Sequence, residues 1–99
     1  LCRLLPARRD FMQTMTAEER AIMQAHVGYW TNQAAAGKAL LFGPVADPAG
    51  GYGIGVIRVA NMGEMEALRD ADPAMRAGVG FRYEVLPMPQ VVLGGAPPG

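Results

Sequence analysis

A helix of about twenty residues, opened by a capping box and closed by a glycine, is the feature that most limits how this 99-residue chain can fold. In Thr16-Ala17-Glu18-Glu19 the threonine oxygen and the glutamate three residues later are spaced to satisfy each other's backbone donors. Met23, Val27, Trp30 and Ala34 then follow at spacings of four, three and four, with Ile22 and His26 flanking the stripe and Gly37 supplying the stop. A helix with one apolar stripe has to lie on something, and the flanking segments read as strands. Leu1 to Leu5 predicts a short strand, and Pro6 to Thr14 an irregular, arginine-bearing connection. Leu40 to Val45 and Tyr52 to Val59 predict two strands joined by the Pro- and Gly-rich turn Ala46 to Gly51, and so paired antiparallel.

Asn61 caps a second helix, with Glu64 at the third position and Met65 and Leu68 on its apolar edge, ending near Ala71. Asp72-Pro73 is an N-cap followed by proline at the first helical position, which predicts one more short turn through Arg76 before Gly78 and Gly80. Phe81 to Met88 reads as the last clear strand, and Val91 to Leu93 adds a few extended residues at an edge or against a partner. Residues 1–93 thus form one domain, and 94–99 a flexible tail.

The order strand, helix, strand, strand, helix, strand predicts an α+β fold. It is the pattern of a ferredoxin-like βαββαβ sandwich, an antiparallel sheet with its helices on one face. The strands read as apolar on both faces: Ile54 and Val56 alternate with Ile57 and Val59, and Phe81, Tyr83 and Val85 with Leu86 and Met88. With no spare segment to cover the second face, the expectation is a homodimer packed through that open face.

Composition removes several function classes. Nine basic and nine acidic residues leave no field for nucleic acid or an anionic membrane, and the Arg3, Arg8, Arg9 cluster reads as solvated. No apolar run approaches the roughly 20 residues of a membrane span. A single cysteine, Cys2, offers neither a disulfide framework nor metal-ligand spacing, and it reads as a small hydrophobe in a soluble, cytoplasmic protein. Tyr52-Gly53-Ile54-Gly55 lacks the lysine and threonine of a phosphate loop and opens a strand, so no nucleotide cofactor is expected, and no other cofactor or metal.

Side-chain chemistry has few places to reside in a chain with no serine and one lysine. His26, the sole histidine, sits on the apolar side of the long helix, where it is either a general base or a satisfied core residue. From Gly37 back to His26 is roughly 16 Å of helix, which a returning strand covers in about five residues, bringing Gly43 or Pro44 beside the histidine. Gly43 and Pro44 then either form a pocket wall or merely end a strand. Trp30, with Tyr29, frames a substrate or fills the core.

Met15-Thr16-Ala17-Glu18-Glu19, His26 with Tyr29-Trp30, Gly37, Phe42-Gly43-Pro44-Val45-Ala46-Asp47-Pro48, and Asp72-Pro73 followed by Val85-Leu86-Pro87-Met88 together resemble the YciI-like (YCII-related) family from about residue 3 to 93. The resemblance implies a ferredoxin-like fold, association of the dimeric α/β-barrel type and a histidine–aspartate catalytic dyad. Most members have no established reaction, although one relative removes chloride from a hydroxylated aromatic ring. The histidine maps onto His26 and the aspartate onto Asp47, with Asp72 as the competing assignment. A carboxylate on one ring nitrogen would fix the tautomer and leave the other to take a proton.

The function expected is a small lyase or hydrolase in which His26 and Asp47 act on a small aromatic or hydroxylated substrate held by Trp30, Phe42, Gly43 and Pro44. The alternative is a non-catalytic dimeric module binding the same kind of small ligand. An oxygenase of the dimeric-barrel type, cofactor-free or haem-linked, has less support, because a single histidine is its sole obvious ligand.

Overall fold

A capping box starts the long helix as expected. In the computed structural model, which describes residues 1–95, Thr16 Oγ1 accepts from Glu19 N at 3.1 Å and Glu19 Oε1 accepts from Thr16 N at 2.9 Å. The element order is β1 (Cys2–Leu5), α1 (Phe11–Thr14), α2 (Ala17–Ala35), β2 (Ala39–Val45), β3 (Tyr52–Ile57), α3 (Met62–Ala71), α4 (Pro73–Arg76) and β4 (Arg82–Val85). Gly37 turns the chain out of α2 with φ +78°, a conformation that a side chain would strain. Asn61 and Asp72 cap α3 and α4, accepting from Glu64 N and Ala74 N. These ends form where expected because each is specified by residues within one turn.

The four strands make one antiparallel sheet in the order β2-β3-β1-β4. The chain is therefore α+β. Cys2, Leu4, Gly53, Gly55, Phe42, Tyr83 and Val85 share one face through their cross-strand pairings. Cys2 packs there with Trp30 of α2 and with Met65 and Leu68 of α3 in a single core, so both long helices cover that face.

The opposite face is less uniform than the sequence pattern predicts. Arg3 pairs across the strands with Glu84 and Ile54 and carries an ion pair to Glu84 at 3.0 Å, and its guanidinium lies 4.3 Å over the Tyr52 ring. The β1–β4 side of this face is thus charged, whereas Leu41, Ile54 and Val56 leave the β2–β3 side apolar. Arg3 and Glu84 supply the charge, and the apolar residues expected beyond them do not offset it because β4 ends at Val85, short of the expected Met88. Leu86 still exchanges hydrogen bonds with Leu1, but Pro87 and Pro89 have no amide hydrogen to extend a ladder. Likewise β3 stops at Ile57. Val91 to Leu93 form no element and are exposed, and of the expected tail residues 94–95 have no regular structure while 96–99 lie outside the described residues.

The connection from 6 to 14 is more ordered than expected. Arg8 grips Glu19 with two hydrogen bonds of 2.7 Å and Thr14 with two of 2.9 Å, so the short α1 is fastened to the start of α2. The Arg8 guanidinium, aided by the Thr16 amide, holds the Glu19 carboxyl down to about 2.

Because the capping box is complete, Thr16→Ala is expected to cost about 0.5–2 kcal/mol. Urea unfolding checks this, and an unchanged midpoint would show that the cap contributes nothing.

Candidate active site

Asp72 is 0% exposed, the one fully buried acidic side chain among the described residues. It begins α4 as a cap, with Oδ1 accepting from Ala74 N at 2.8 Å, and that local role leaves most of the carboxylate free. Three side chains take up the remainder. His26 Nδ1 lies 2.9 Å from Oδ1 and 2.8 Å from Oδ2, Trp30 Nε1 donates to Oδ2 at 2.8 Å, and the Tyr83 hydroxyl donates to Oδ2. Trp30 Nε1 also reaches Tyr83 Oη at 3.2 Å, closing the network. Burial pushes the Asp72 carboxyl up, but the hydrogen bonds from His26, Tyr83, Trp30 and Ala74 outweigh it and hold the group below the usual value.

The donors come from different parts of the chain for simple geometric reasons. His26 and Trp30 are four apart on α2 and so share a face. Tyr83 stands opposite Leu4 on the helix-covered side of the sheet. Burial first, and then Asp72, push the Tyr83 phenol far up, so it remains a donor at any physiological pH.

With Nδ1 on the Asp72 carboxylate, the neutral ring carries its proton on Nδ1, and Nε2, left with its lone pair, has no hydrogen-bond partner among the described residues. His26 lines a cavity of about 200 Å³ between α2 and the sheet, together with Trp30, Phe42, Gly43 and Pro44. All four residues expected to hold a substrate therefore line the same cavity as the histidine.

Two assignments are corrected. Asp47, mapped onto the dyad, turns its carboxylate onto its own loop, where Oδ1 accepts from Ala49 N at 2.8 Å. Asp47 is not among the residues that line the cavity with His26, and the carboxylate hydrogen-bonded to His26 is that of Asp72, the competing assignment. Tyr29 does not frame the cavity either: its hydroxyl donates to Leu68 O at 2.7 Å, tying α2 to α3. Nor does the apolar stripe of α2 disappear into a filled core. Trp30 is buried, whereas Val27 is 50% exposed and, with Met23, borders the cavity.

Sequence reasoning missed Tyr83, Cys2, Phe11 and Phe81 as site residues. Tyr83 was legible as a strand residue alternating with exposed Arg82 and Glu84, but its facing Trp30 depends on strand order. Burial pushes the Cys2 thiol above its usual range, so it lines the cavity as an apolar group and supplies no thiolate. No group of three or more metal-ligating side chains occurs among the described residues.

Asp72→Ala is expected to cost about 3–5 kcal/mol in urea unfolding, since it strands three buried or half-buried donors. Because the folded carboxyl lies below its unfolded value, its stabilising contribution is present above the ordinary carboxylate range and is lost as pH falls through the folded value. The cost of the substitution should therefore shrink in acid.

No curated protein and no solved structure matches this chain. The YCII-related domain does match, over residues 2–89, a span that contains His26, Asp72, Trp30 and Tyr83, and the chain therefore belongs to the YCII-related family.

Proposed function

We propose that this chain is a small acid–base enzyme, a lyase or hydrolase, in which His26 held by Asp72 moves a proton on a small aromatic or hydroxylated substrate. The observation that carries the reading is the buried Asp72 carboxylate, with an imidazole on it that lines a cavity and whose second nitrogen has no partner among the described residues. A core histidine would have both nitrogens bonded. In the proposed step the substrate's O–H or C–H bond breaks, its electron pair stays with the substrate, and the proton goes to Nε2. The resulting imidazolium is stabilised by Asp72, which stays ionised. Neutral His26 is regenerated when that proton passes to the leaving group or to water.

The sheet order, with hairpin strands at one edge and β1 and β3 central, supports a ferredoxin-like sandwich. The apolar β2–β3 side of its open face supports a homodimer, which light scattering at micromolar concentration should report as twice the chain mass. A monomer would remove this part of the proposal. The lone thiol of Cys2 fits a reducing compartment such as the cytoplasm.

One feature favours the second reading, a non-catalytic binding module. Apart from His26, the lining contains no Lys, Arg, Asp or Glu, so no second acid–base side chain is supplied for a leaving group. Incubation with a metabolite mixture, followed by mass spectrometry, separates the readings. Catalysis predicts depletion of a compound by the parent chain and none by His26→Gln, which should stay folded. Co-purification of an unchanged compound, with no depletion, favours the module.

A further inference from the structure

Gly53 and Gly55 stand two apart in β3 and face the covered side of the sheet, paired across the strands with Leu4 and Cys2. Glycine inside a strand weakens it, so each position calls for a reason. Neither has a positive φ, so the backbone does not require glycine at either. At Gly55 the reason is packing: a Cβ would come within 3.2 Å of Cys2 Sγ and 3.4 Å of Ile57 Cδ1. At Gly53 packing gives none. A Cβ there would meet Leu4 Cβ at 3.4 Å and Leu4 Cδ2 at 4.0 Å, which is ordinary contact. What a side chain at Gly53 would take is space in the cavity beneath His26.

We propose that Gly53 is a specificity-determining residue, the floor that lets the cavity accept one flat, uncharged ring bearing a hydroxyl directed at His26 Nε2. The inference rests on the reading of this cavity as the functional site. Size supports a single ring: the cavity is about 200 Å³, and an apolar cavity of about 150 Å³ holds benzene. Shape supports a flat one, because the peptide plane bare of side chain at Gly53 leaves a face on which a ring can lie, with Phe42 and Phe81 in the surrounding wall. Charge supports a neutral one. No Lys, Arg, Asp or Glu is among the lining residues, which are apolar apart from His26, Trp30, Tyr52, Tyr83 and the Cys2 thiol. A carboxylate or phosphate entering here would be buried beside Asp72 with no cation of its own. A neutral hydroxyl brings no such charge and fits the free lone pair on Nε2.

The test uses the full chain and the ring signals of its only histidine, which are unambiguous in an NMR titration. Phenol and benzoate, alike in ring and different in charge, are the probes at pH 8. Phenol is expected to shift the His26 signals saturably, with benzoate at least about tenfold weaker. Gly53→Val should weaken phenol by about tenfold or more with the denaturant midpoint retained. If valine unsettles the strand, Gly53→Ala adds a methyl at ordinary contact distance and should weaken phenol measurably. Benzoate binding as well as phenol, no saturable shift with phenol at millimolar concentration, or unchanged phenol binding in both glycine variants would each overturn the inference. Phenol selectivity that persists in a protein turning over nothing would sink the catalytic reading and leave this one standing.

Discussion

One buried carboxylate organises this molecule. Asp72 accepts from α2 through His26 and Trp30, from β4 through Tyr83 and from its own helix through Ala74 N. Taking such a charge out of water is costly unless every lone pair is used, and four donors use them. Lone pairs spent on several elements at once also fix where those elements sit relative to one another. The position of α2 over the sheet, and with it the cavity beneath His26, follows from satisfying that one group. Apolar burial of Trp30, Met65 and Leu68 supplies much of the driving force for packing, but it lacks direction.

The same network separates what was readable in the sequence from what was not. The ends of α2, α3 and α4 were legible because Thr16, Gly37, Asn61 and Asp72-Pro73 act within a few residues of themselves. The partner of His26 could be narrowed to Asp47 or its competitor Asp72 but not chosen, since the true partner lies 46 residues away and depends on how α4 docks against α2. Asp72 looked spent as a cap, although a cap uses a fraction of a carboxylate's acceptor capacity. Asp47 looked available, although an aspartate before proline in a turn has its own backbone to serve, as Ala49 N shows. Both errors came from treating an aspartate as either structural or free. Asp72 is structural and paired to the histidine at once.

Gly43 and Pro44 line the cavity with His26, in keeping with the short return from Gly37, while Trp30 and Phe42 line it from α2 and β2. The open face was read less well. Alternation made both faces apolar without saying which set lay opposite the core; the structure puts Ile54 and Val56 there, the apolar residues after Val85 sit beyond a strand that prolines cut short, and Arg3 with Glu84 gives that half of the face its charge. An unpaired apolar half beside a charged half narrows any contact there to the β2–β3 side.

The fastening of α1 has a consequence for how this site can diversify. Phe11, Met12 and Met15 form part of the cavity's roof, and they belong to a segment held by Arg8 to Glu19 and Thr14, none of which touches Asp72. The roof and the His26–Asp72 pair are thus held by different contacts, the roof by the arginine fork and by Phe11 packed edge-on against Phe81. Substitutions between residues 10 and 15 can reshape what enters while leaving the imidazole and its carboxylate as they are. A family built on this plan can change ligands by altering a single short stretch of chain, which gives one physical route to a shared fold with divergent chemistry.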